Sequence, residues 1–95
     1  MKYSDFITST SNNNPPKGIS NLLLSMWHAL REEWDTAHEI VQEIQSKDAA
    51  WIHAYLHRVE GDLSNANYWY SKATQDTSNL SLDSEAKKIV IDLIT

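Results

Sequence analysis

The sequence has no cysteine, only two glycines, two prolines and a single phenylalanine. Without cysteine there is no disulfide framework and no thiolate-bound zinc, so stability has to come from packing. Gly18 and Gly61 stand far apart and build no glycine-rich phosphate loop. The serines lie in no recognisable nucleophile context. Positive charge is scarce as well: eight Lys and Arg against 13 Asp and Glu give a formal net charge of −5. That balance weighs against nucleic acid or an anionic membrane surface as the partner. No apolar run approaches the roughly 18 residues of a membrane span, and residues 1–18 lack the apolar stretch of a secretory signal, so the cytoplasm is the expected location. A chain of 95 residues makes one small domain. It buries roughly 60 to 65% of the surface its unfolded form exposes, which leaves a thin core and favours self-association.

Residues 8–18 are polar and end in Pro15-Pro16-Lys17-Gly18, a composition that offers nothing to bury and rejects a helix. Residues 1–18 are therefore expected to form a flexible N-terminal arm, with Tyr3, Phe6 and Ile7 available to dock back on the body. Residues 19–95 form the expected helical domain. Leu22, Leu23, Met26, Trp27 and Leu30 fall on one helical face, with Ser20 as N-cap. Trp34, Ala37, Ile40, Val41 and Ile44 define a second helix over 34–46, antiparallel to the first because the link is short. Trp51, Ile52, Tyr55, Leu56 and Val59 form the next face, with Asp48 as its expected N-cap. Gly61 and Asp62 end that helix and open a fourth carrying Leu63, Ala66, Trp69, Tyr70 and Ala73. Residues 75–81 read as a loop. A last helix over 82–94 places Leu82, Ala86, Ile89, Val90, Leu93 and Ile94 on one side.

Sliding the chain by 29 positions pairs Leu22 with Trp51, Leu23 with Ile52, Met26 with Tyr55, Ala37 with Ala66 and His28 with His57 without a gap. This self-similarity reads as a duplicated two-helix unit. The segment from Gly61 through Ala66 and Tyr70 to Ala73 resembles the second helix of a tetratricopeptide repeat, in its glycine turn, small residues and aromatic. Its period departs from that family's roughly 34 residues, and the mid-helix small residue of each first helix is displaced. The resemblance implies an all-α fold of two stacked antiparallel helical hairpins plus a C-terminal capping helix, a scaffold that binds peptides or partner proteins. No ligand-binding residue carries over. Pro15-Pro16-Lys17-Gly18-Ile19-Ser20, the residues from Trp34 to Glu39 and those from Trp51 to Tyr70 also resemble a group of short uncharacterised bacterial proteins, which implies no activity.

His53, His57 and Glu60 stand at i, i+4 and i+7, within about 60° of one another on a helix and beside its apolar face. Two imidazoles one turn apart are a bidentate nitrogen ligand, and a carboxylate one turn further completes a set for zinc or another divalent transition metal. The glutamate that follows the first histidine in the metalloprotease signature is absent, since Ala54 stands there. The plainer reading puts the histidines at a helix interface, bonded to neighbouring carbonyls or carboxylates. His28, the equivalent of His57, and His38 point toward the same groove on this reading, so that His28, His38, His53, His57, Arg58, Glu60, Asp62 and Tyr68 line one surface. Trp27, Trp34, Trp51 and Tyr70 are expected to fill the core, whereas Tyr68 and Trp69 form an aromatic edge suited to binding or dimerisation. The leading expectation is a non-enzymatic interaction module that binds a peptide, a partner protein or a second copy as a homodimer. The alternative is a small metal- or ligand-binding protein centred on His53, His57 and Glu60.

Overall fold

A computed structural model describes residues 1–94. Within them the chain is all-helical: α1 (Tyr3–Ser9), α2 (Asn21–Leu30), α3 (Trp34–Gln42), α4 (Lys47–Val59), α5 (Leu63–Ala73) and α6 (Leu82–Ile94). None of these helices is long and apolar enough to cross a membrane.

Short polar side chains start the helices. The Leu23 amide donates to Ser20 Oγ at 3.2 Å, and the Asn65 amide donates to Asp62 Oδ1 at 3.2 Å, as the sequence predicts. For α4 the cap is Ser46, whose Oγ accepts from the Ala49 amide at 3.0 Å. Asp48 falls inside the first turn, where its charge suits the helix dipole. Because Ser46 opens α4, α3 closes at Gln42 instead of running to residue 46.

The links between α2 and α3 and between α4 and α5 have the same backbone geometry 29 positions apart. Glu32 and Gly61 both adopt positive φ, 62° and 86°. The Glu33 amide bonds the His28 carbonyl at 3.0 Å, and the Asp62 amide bonds the His57 carbonyl at 2.9 Å. Such a left-handed residue closes a helix by satisfying its last carbonyls. In the first pair Ser25, fully buried, donates from its hydroxyl to the Ala37 carbonyl at 2.8 Å and ties α2 to α3.

Helix α4 is the centre of the molecule, packed against α2, α3, α5 and α6. Every residue from Ala49 to His57 is buried. The core gathers Met26, Trp27, Val41, Ile52, Leu56, Tyr70, Ile89 and Val90 around it. Trp27, Trp51 and Tyr70 fill it as expected, while Trp34 is half-buried and Leu82, assigned to an apolar face, lies exposed at the start of α6.

The C-terminal helix α6 covers α2 and α4. Its Glu85 is 1% exposed and accepts from Trp51 Nε1 at 3.2 Å, Tyr70 Oη at 2.6 Å and Arg58 Nη1 at 2.8 Å. Arg58 also donates to the Leu80 carbonyl. A buried carboxylate is stable only when its lone pairs are used this fully. Those partners come from α4 and α5, which the spacing within α6 does not reveal.

Residues 3–9 correct the expectation of a flexible arm. They form α1, which packs on α6 and buries Phe6 completely. Burying one phenylalanine contributes about 1.5 to 3 kcal/mol. Arg31 then latches the end of α1, its Nη1 donating to the carbonyls of Thr10 at 3.0 Å and Asn12 at 2.6 Å.

Candidate metal centre

Because α4 is flanked by α3 and α5, its polar edge is roofed over instead of facing water. His53 and His57, one turn apart on that edge, are buried, and His38 reaches them from α3. One nitrogen from each of His38, His53 and His57 lies within 4.8 Å of the other two. His53 Nε2 and His38 Nε2 are 2.9 Å apart, so one of the two carries the shared proton and the other accepts it. Nitrogens bound to one zinc at about 2.0 to 2.1 Å are separated by roughly 3 to 4 Å. The three imidazoles are therefore within small side-chain adjustments of a common ion.

Flat aromatic surfaces hold the rings. Trp69 of α5 stacks on His53 with centroids 3.8 Å apart and planes 9° from parallel. Trp34 of α3 stacks on His38 at 4.8 Å and meets His57 edge-on at 5.8 Å. With the faces covered, the ring edges that carry nitrogen are left to converge. Trp34 is itself fixed by its Nε1–H, which donates to the Leu56 carbonyl at 2.6 Å.

The surroundings favour the neutral form of His53 and His38. Burial pushes the His53 imidazole down to about 4, and the neighbouring His38 and His57 add to the effect. Burial, then His57, lowers His38 in the same direction, against the opposing pull of Glu60, Asp35 and Glu39. At neutral pH both rings accordingly offer lone pairs, the form that binds metal.

The cluster of nitrogens is His38, His53 and His57, where the sequence suggests His53, His57 and Glu60. Glu60 is the C-cap residue of α4, and its carboxylate turns back to His57 Nδ1 at 2.6 Å. A carboxylate on one imidazole nitrogen fixes the tautomer and leaves the other nitrogen, Nε2, as the donor. Glu60 thus lies on His57, and His38 is the third member of the nitrogen cluster. Glu60 and Asp62 form a second grouping with His57 at the exposed rim.

The other expected site residues scatter. His28 pairs with Glu33 at 2.9 Å, and Arg31 bonds the same oxygen at 3.1 Å, so His28 does not join the cluster. Arg58 is committed to Glu85 and Leu80. Tyr68 is 54% exposed and touches the centre only through Trp69, edge-on at 5.2 Å. Trp34 was assigned to the core, although its place four residues before His38 on one helix was the available signal.

No known protein family, curated protein or solved structure matches the chain.

Proposed function

We propose that this domain binds one divalent transition metal, zinc foremost, between α3 and α4 through His38, His53 and His57. The convergence of three imidazole nitrogens within 4.8 Å carries the reading. The neutral state of His38 and His53, the carboxylate behind His57 and the tryptophan faces that hold the rings support it. Three protein nitrogens leave a fourth position for water or a ligand. A ligand present at 100 times its dissociation constant adds about 2.7 kcal/mol to stability, and a domain of this size gains roughly 4 to 8 °C in Tm per kcal/mol. Zinc should therefore raise the Tm by roughly 10 to 20 °C, and His53→Gln should abolish the rise. An equal response in that variant rejects the site.

A second reading, a cytoplasmic helical-repeat module similar to tetratricopeptide repeats, draws support from the matching turns at Glu32 and Gly61. Val59, Leu63 and Tyr68 are 43%, 62% and 54% exposed along the outer edge of α4 and α5. They offer apolar area to a peptide, a partner protein or a second copy. Sedimentation at rising concentration tests the homodimer: a dimer that Leu63→Asp dissociates supports it, and a strict monomer removes it.

A further inference from the structure

We infer that the cleft between the end of α3, the start of α4 and the outer face of α5 binds a small carboxylate with an apolar body. The cleft has a volume of about 490 Å³, within the range of roughly 300 to 1,000 Å³ typical of small-molecule sites. Val41, Ile44 and Ala50 supply apolar wall, and His53 and Trp69 form one end. Its charged lining is of one sign. Lys47 and Lys72 both line it, and no aspartate or glutamate does, on a chain whose formal net charge is −5. Neither lysine forms a salt bridge among the described residues.

Two lysines on the lining of a cleft with an apolar wall, Lys72 with its ammonium 5.5 Å from the Tyr68 ring centroid, favour an anion with a hydrocarbon body. The lysines act as point charges on carboxylate and phosphate alike, and the apolar wall of Val41, Ile44 and Ala50 favours the singly charged carboxylate, which costs less to desolvate than a phosphate dianion. Lys47 is in the first turn of α4, where the helix dipole adds to its positive potential. The site shares His53 and Trp69 with the proposed metal centre but does not depend on a bound ion, because the wall and the lysines are present without one.

The test uses the full chain stripped of metal with EDTA and follows the Trp69 indole N–H signal by NMR, assigned through Trp69→Phe. Hexanoate is the probe, with hexanol and hexylamine as neutral and cationic counterparts. The inference requires saturable shifts with hexanoate, at least tenfold weaker binding of hexanol and hexylamine, and at least tenfold weaker hexanoate binding in the Lys47→Gln, Lys72→Gln double variant. Both lysines are exposed, so the variant should keep its helical circular dichroism and its zinc response. No saturable shift, equal binding of the three probes, or an unchanged affinity in the variant would each overturn it. Zinc titration of the same stripped sample reports separately on the metal centre, so either reading can fail alone.

Discussion

Acidification should destabilise this domain through His53 before its carboxylates titrate. The folded imidazole is held down to about 4, whereas an unfolded histidine titrates near 6.5. Between those values the unfolded chain binds a proton that the folded chain refuses, so stability is full above about pH 6.5 and falls toward pH 4. Each unit of difference is worth about 1.4 kcal/mol. Lowering the pH from about 7.5 to 4.5 should therefore remove about 2 to 3 kcal/mol through this one side chain. The loss is a large fraction of the roughly 5 to 14 kcal/mol expected for a chain of this length. Urea unfolding, followed by tryptophan fluorescence in EDTA at several pH values, measures it. His53→Gln removes the titrating group while its amide can still bond His38, and His38, shifted in the same direction, remains as a common background. The wild-type protein should lose about 2 to 3 kcal/mol more than the variant over this range. Curves that fall in parallel, within about 0.5 kcal/mol, would refute the assignment of a buried, neutral His53.

Three further perturbations probe the scaffold. Glu85→Ala strands the Arg58, Trp51 and Tyr70 donors and should cost about 3 to 5 kcal/mol in urea unfolding; a loss under 1 kcal/mol would show that α6 is held by apolar contact alone. At the hairpin turns, Glu32→Gly should stabilise and Gly61→Ala destabilise by about 1 kcal/mol each, because both positions sit at positive φ. A destabilising Glu32→Gly or a stabilising Gly61→Ala would contradict the turn geometry. Phe6→Ala should cost about 3 to 5 kcal/mol, and protease resistance at residues 1–12 should fall with it; an unchanged Tm would mean that α1 does not dock.

The sequence carries the helices of the body in its apolar spacing, since that pattern is local and each of those helices except the central α4, buried on all sides from Ala49 to His57, buries one stripe. Helix α1 was not legible in the same way. Seven residues are too few for a period, and their order depends on Phe6 entering a distant core and on Arg31 reaching the carbonyls of Thr10 and Asn12. Ser46 and Asp48 are both competent caps, and only the course of the chain leaving α3 selects the serine. At the centre, the spacing of His53 and His57 was visible because one helix sets it. His38 was visible as a neighbour but not as the third nitrogen, a role fixed by how α3 packs on α4. Glu60 was placed by extending the helix to i+7, but α4 ends at Val59 and the side chain returns to His57. Trp69 was read as part of an edge, and its stacking on His53 follows from α5 closing over α4.

Titration calorimetry of the metal-free protein with zinc chloride, in two buffers of different ionisation enthalpy, tests the central claim most directly. The three-histidine centre predicts saturation at one zinc per chain with no proton released by His38 or His53, because both rings are already neutral and the proton between their Nε2 atoms moves to the donor ring's other nitrogen, and loss of that binding in His38→Ala, His53→Ala and His57→Ala alike. Absence of a saturating event, or zinc binding that survives in all three variants, would contradict it.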